Sequence, residues 1–218
     1  RVIQSAVSFF DQYVIPEADA FGDDAVAWSF DFPWTLNWGI KLEPPWYSSY
    51  SNAVFAAASA VLFKETGDEK YKQLAQKAVK FLEIPTSEGG GRYDIGGYQF
   101  TAEYIYNTEA TPNVRVLDGE LIAAVAVYNT ARLLGDSEML QFAQRLIFSL
   151  SAHLDYFALE DGSLLFASYV EKMPESYEWV LWSNLNALAN ISKDRRFSDA
   201  ARALRKHIPE ESCNAYGC

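Results

Sequence analysis

Two kinds of apolar segment alternate along the chain. NAVFAAASAVLF (52–63), LIAAVAVYNTARLL (121–134) and VLWSNLNALANI (180–191) are apolar on nearly every side, the mark of a helix buried all round. Each leads into a segment such as YKQLAQKAVKFL (71–82), where apolar positions recur at helical spacing and the opposite face is charged. The pattern predicts inner helices at roughly 50–65, 115–133 and 177–191, each followed by an outer helix. The break between partners carries an acid each time, Asp68, Asp136 and Asp194. An aromatic or Met follows three residues later (Tyr71, Met139, Phe197), and an Ala four after that (Ala75, Ala143, Ala201). A carboxylate there can accept from the free N–H groups of the next helix's first turn.

Inner helix, short turn, outer helix is an αα-hairpin. The repeat is longer than the roughly 20–50 residues of ordinary solenoids. RVIQSAVSFFDQYVI (1–15) reads as a further outer helix without an inner partner. The expected fold is therefore mainly α. It is a partial (α/α) toroid of about seven helices, three and a half hairpins, over a single domain at 1–208. Short alternating runs between the hairpins, AWSFDF, QFTAEYIY and SLLFASYV, read as strands or small β-hairpins. Such elements would lie at the end where the inner helices begin. The incomplete ring, with Arg as first residue, suggests a missing N-terminal portion or closure by another copy in a homo-oligomer.

Composition narrows the function. The chain has 218 residues and a formal charge of −11, which argues against non-specific nucleic-acid binding. No apolar run is long enough to span a membrane. Aromatic residues make up 15%, with 13 Tyr and 6 Trp. These fit either a large helical core or a cleft that stacks sugar rings. Cys213 and Cys218 bracket the tail at 209–218. They are either two free thiols or a small disulfide loop, and the loop would point to a secreted or extracytoplasmic setting. The two histidines stand late on amphipathic segments, FGDDA (21–25) lacks EF-hand spacing, and no phosphate-binding glycine motif occurs. GGGR (89–92) reads as a loop.

LEPPWYSSYSNAVFAAASAVLFKETGDEKYKQLAQKA resembles the C-terminal helical domain of D-glucuronyl C5-epimerases. That family carries Pro-Gly-Trp-Tyr-Ser before a buried helix. TPNVRVLDGELIAAVAVYNTARLLGD (111–136) resembles its Thr-Pro and Val-Leu-Asn-Gly stretch, with Asp118 in place of Asn, and SNLNALANI (183–191) a later one. The resemblance implies an (α/α) toroid acting on a uronic-acid polysaccharide of the heparan or heparosan type, without a cofactor. The family's acid–Tyr pair falls nearer its Thr-Pro than Glu103-Tyr104 does here, and Tyr169 and Tyr177 lie near its later tyrosines.

Epimerisation at C5 of a uronate needs a base on one face, an acid on the other, and stabilisation of the enolate-like intermediate. Candidates are Tyr104 and Tyr106, on one face of a predicted strand, and Glu103 on the other. Arg115 either neutralises a substrate carboxylate, or is a surface residue, or pairs with Asp118 or Glu120. Trp46, Tyr47, Ser48, Asn52, Asp118, Tyr177, Trp182, Asn184 and Asn186 are candidates for substrate binding, with Trp46 favoured for packing and Tyr47 with Ser48 for facing a sugar. A glycoside hydrolase or polysaccharide lyase on the same toroid, using acids among Asp31, Glu109, Asp118 and Glu120, is the competing enzyme. A glycan-binding domain without activity is the third reading.

Overall fold

The computed structural model describes residues 2–36, 39–105, 115–161, 163–167, 171–172 and 178–211. Seven α-helices lie among them: α1 (Val2–Phe9), α2 (Ser49–Thr66), α3 (Glu69–Glu83), α4 (Leu117–Leu134), α5 (Ser137–His153), α6 (Glu178–Ser192) and α7 (Arg195–Leu204). α1 continues as a π-helical turn over Phe10–Val14, where the carbonyl of Val14 accepts from the indole of Trp28 at 2.7 Å. The expected inner helices are α2, α4 and α6. α2 packs on α3 and α4, α4 on α5 and α6, and α6 on α7. Small side chains let the inner helices approach: Ala53, Ala56 and Ala60 of α2 and Ala123 and Ala124 of α4 have no exposed surface.

One chemical device closes all three hairpins. The inner helix ends on a residue in the left-handed region, Gly67 (φ 72°), Gly135 (φ 68°) or Lys193 (φ 60°). The next residue caps the outer helix. Asp68 accepts from the N–H of Lys70 at 3.1 Å, Asp136 from Glu138 and Met139 at 3.1 and 3.0 Å, and Asp194 from Arg196 at 3.0 Å. The aromatic or Met three residues on is then carried inward. Tyr71, Met139 and Phe197 are buried, as are Ala75, Ala143 and Ala201. Full burial of a side chain such as Phe197 is worth about 1.5–3 kcal/mol, so each cap orients a substantial anchor.

Among the described residues, ten short strands lie in the connections from outer to inner helices, in five antiparallel pairs. β1 (Asp19–Phe21) pairs with β2 (Ala25–Ala27), and β3 (Ser29–Phe30) with β6 (Trp46–Tyr47). β4 (Trp34–Thr35) pairs with β5 (Lys41–Leu42), β7 (Arg92–Ile95) with β8 (Tyr98–Thr101), and β9 (Leu165–Ala167) with β10 (Glu171–Lys172). They stand at the end where the inner helices begin, the mouth of the array. Of GGGR, the three glycines form a loop and Arg92 opens β7; the loop is packed hard against its neighbours, for a side chain at Gly91 would place Cβ 2.6 Å from Ser49 Oγ.

QFTAEYIY does not run on as one strand. β8 stops at Thr101 because the backbone changes partner. Ala102 still donates to Gly91 at 2.8 Å, but Ile105 exchanges both its bonds with Tyr47, at 2.9 Å each. The chain bends at Glu103, between the two ladders. The alternation expected of Glu103 and Tyr104 is lost there. Among the described residues, no helix is long and apolar enough to cross a membrane. Cys213 and Cys218 lie outside the described residues.

Candidate functional site

The bend at Glu103 and the first turn of α4 meet at the mouth. Glu103 and Asp118 are 8% and 6% exposed. The Glu103 carboxylate sits so close to the helix backbone that a Cβ on Gly119 would lie 2.2 Å from its Oε2. Only glycine leaves that seat open. Burial pushes the Glu103 carboxyl well above the usual range. The charge of Asp118 adds to this, while a hydrogen bond from Tyr104 and the N–H of Gly119 work against it. The bend thus brings Glu103 and Tyr104 together, where an extended strand would have held them apart.

A second acid on the same turn is already paired. Glu120 accepts from Arg115 at both oxygens, 3.1 Å from Nε and 2.7 Å from Nη2, and the hydroxyl of Tyr93 also donates to it. The guanidinium stacks over Phe100, 4.0 Å from the ring centroid, with Phe157 at 4.8 Å. Burial pushes Glu120 up, and Arg115 and then Tyr93 oppose it. The Tyr93 phenol is pushed well up, by burial first and by the charge of Glu120 next. Arg115 is therefore an internal ion-pair partner, 5% exposed. To neutralise a substrate carboxylate it would have to give up Glu120.

The Trp-Tyr pair splits across β6. Trp46 stacks on Phe30 at 4.3 Å, donates its indole N–H to the carbonyl of Phe32 at 2.8 Å, and lies 6.0 Å from the ring of Tyr104. It belongs to a small satellite core with Leu36 and Leu42. Tyr47 turns the other way, against Phe21 and Phe81, and its hydroxyl donates to Asp19 at 3.3 Å. Its phenol is pushed up, by burial first and then by Asp19.

Ser48 and Asn52, expected to reach a sugar, are instead built into the frame. Ser48 caps α2, accepting from the N–H of Ser51 at 3.3 Å. Asn52 has no exposed surface; its amide donates to the Ser48 carbonyl at 2.8 Å, and its oxygen accepts from the N–H of Trp28 at 3.2 Å. Asn184 and Asn186 bond back to Val180 and Trp182 of their own helix, at 2.8 Å each. Trp182 packs partly buried on the main core. Tyr106 and Tyr177 lie outside the described residues.

The structure thus brings Glu103, Tyr104, Asp118 and Trp46 together, with Arg115 one turn behind in its own network. Tyr93 and Gly119 belong to the site and are absent from the sequence candidates. Tyr93 gives no local signal, since its partner lies 27 residues on. Gly119 stands in the Leu-Asp-Gly stretch, where a glycine inside a helix start is itself the sign of a close approach.

Residues 22–206 match the family described as D-glucuronyl C5-epimerase C-terminus. A D-glucuronyl C5-epimerase of Caenorhabditis elegans is 33% identical over 94 residues, which is 43% of this chain and 15% of that protein. Among solved structures, cellobiose 2-epimerase from Bacillus thermoamylovorans superposes with a TM-score of 0.67 at 12% identity, over 94% of this chain and 53% of that one. A GH76 α-mannanase from Bacteroides thetaiotaomicron gives 0.61 at 13% identity, over 94% and 56%. A D-mannose isomerase gives 0.60 at 14%, over 99% and 51%. These likenesses are of fold, that of the (α/α) toroid, and the chain spans about half the length of each of these three structures. With its family match running from the first strand pair to the last outer helix, the chain belongs to the family of the D-glucuronyl C5-epimerase C-terminus.

Proposed function

We propose that the chain carries uronyl C5-epimerase chemistry on a uronic-acid polysaccharide of the heparosan type. The observation that supports this reading is the contact of Glu103 with Tyr104 over the first turn of α4, in a seat that only Gly119 permits. In the reaction, a base takes the proton from C5. The C–H electron pair moves into the adjacent carboxylate, giving an enediolate, and an acid on the opposite face returns a proton to C5. Composition is unchanged, so no co-reactant is required.

Glu103 and Tyr104 form one acid–base side of the proposed site; Tyr106, outside the described residues, is the sequence candidate for the second group. When protonated, Glu103 also suits hydrogen bonding to the developing enediolate, because a neutral carboxylic acid donates where a carboxylate cannot. Trp46 supports the Tyr104 ring from behind. The test is incubation with heparosan in deuterated water. The expected result is deuterium at C5 of glucuronate with no fall in chain length. Release of reducing ends would establish a hydrolase, and new unsaturated uronate a lyase. Active-condition protein that labels no uronan would remove the epimerase reading.

A further inference from the structure

One aromatic ring on the outer wall is left unexplained by packing. Phe148 of α5 is 62% exposed. Its ring lies nearly parallel to that of Tyr98 in the β7–β8 hairpin, at 21° with centroids 5.8 Å apart. Tyr98 is braced edge-on by His153 at 4.4 Å. The exposed ring is therefore held in place. A shallow cleft opens on either side of it. One is lined by Gln99, Gln144 and Arg145, the other by Tyr128, Arg132, Ser151 and Asp194, whose carboxylate is already held by Ser151 and Arg196.

Gln141, Gln144, Arg145 and Phe148 are spaced to share one face of the helix. Arg145 donates to the side-chain oxygen of Gln99 at 2.8 Å, which fixes its direction. Neither Arg132 nor Arg145 makes an ion pair among the described residues, although the chain carries a net charge of −11. An exposed, braced ring flanked by amides and unpaired guanidinium groups is the chemistry that holds an acidic sugar. The ring takes the C–H face of a pyranose, the amides take hydroxyls, and the guanidinium forks take carboxylates.

We infer that this face of α5 is a second, non-catalytic binding site for the acidic polysaccharide. The C-terminal turns of α5 pack on the β7–β8 hairpin, whose Tyr98 meets Phe148, so the proposed wall site shares that hairpin with the mouth. The site lengthens the grip on a long chain and leaves short oligosaccharides to the mouth alone. The identity of the polymer rests on the proposed function; the existence of the wall site rests on the geometry of α5.

Calorimetric titration with a heparosan tetrasaccharide and a hexadecasaccharide tests the assignment. Phe148→Ala, and separately Arg132→Ala with Arg145→Ala, should weaken the long ligand about tenfold and leave the short one unchanged. The melting temperature should hold, since these side chains are exposed. Long-ligand affinity that is the same in wild type and variants overturns the wall site alone, as does dextran, a neutral polymer, binding the wild type as tightly as heparosan. A wild-type chain that binds neither length overturns the wall site and the uronan reading together.

Discussion

At the residue scale, the pairing of Glu103 with Asp118 decides how the site responds to pH. Glu103 is held above its usual value of 4.5, by burial first and Asp118 next. Between 4.5 and that raised value the folded chain binds a proton that the unfolded chain has lost, so stability falls as pH rises through the window. Asp118→Asn removes the like charge and brings Glu103 back toward its usual value. The carboxylate limb of the pH–rate profile should therefore move to lower pH, and the fall in stability should end at a lower pH. An unmoved limb would separate Asp118 from the acid–base step.

The Arg115–Glu120–Tyr93 network makes a different demand. Arg115→Met strands a buried carboxylate and should cost about 3–5 kcal/mol in urea unfolding. The triple change with Glu120→Leu and Tyr93→Phe should return most of that loss, as apolar replacement of a whole buried pair commonly does. If the triple variant stays as unstable as the single one, the pair is not the reason for the loss. For Arg115 the sequence left open a substrate carboxylate, a surface position, or an ion pair with Asp118 or Glu120. The structure pairs it with Glu120, five residues on, between aromatic walls of Phe100 and Phe157 that come from elements far away in sequence.

At the element scale, the hairpin is the unit, and its turn was legible. Asp68, Asp136 and Asp194 cap as their position implied, because capping depends on two or three consecutive residues. The run from Gln99 is a strand only as far as Thr101, for the opposite reason. Its fate depends on Gly91 and Tyr47, partners supplied by other segments. The framework bonds of Asn52 are hidden from the sequence likewise, since the N–H of Trp28 that it receives is 24 residues away. The turns also differ among themselves. Two use Gly in the left-handed region, and the third holds Lys193 there at φ 60°. A side chain in that region is strained by about 1–2 kcal/mol. Lys193→Gly should therefore stabilise the chain by about 1 kcal/mol, a rise in melting temperature of about 2–4 °C. An unchanged or lower melting temperature would show that the lysine is held by contacts worth as much as the strain.

At the scale of the whole molecule, charge and shape pull in different directions. An acidic chain of net −11 repels a polyanion at long range, whereas the arginines beside Phe148 attract it at contact. Salt screens the first more than the second, since the Debye length shortens from about 30 Å at 0.01 M to about 8 Å at 0.15 M. For the long polymer, kcat/KM should rise over that range. A steady fall would mean that the local arginines outweigh the field of the whole chain.

The change of partner between Ala102 and Ile105 has a bearing on how the chain tolerates insertion and deletion. Both backbone clamps around Glu103 are made to residues that come earlier, Gly91 and Tyr47. The two positions between the clamps act as a spacer of fixed length. One residue added or removed there would carry Glu103 off Gly119, whatever its identity. Residues added beyond Ile105 leave both clamps untouched. The place of the acid is thus measured from the Trp-Tyr pair before α2, and the count of residues from Glu103 to the Thr-Pro at 111–112 can differ between relatives without moving it.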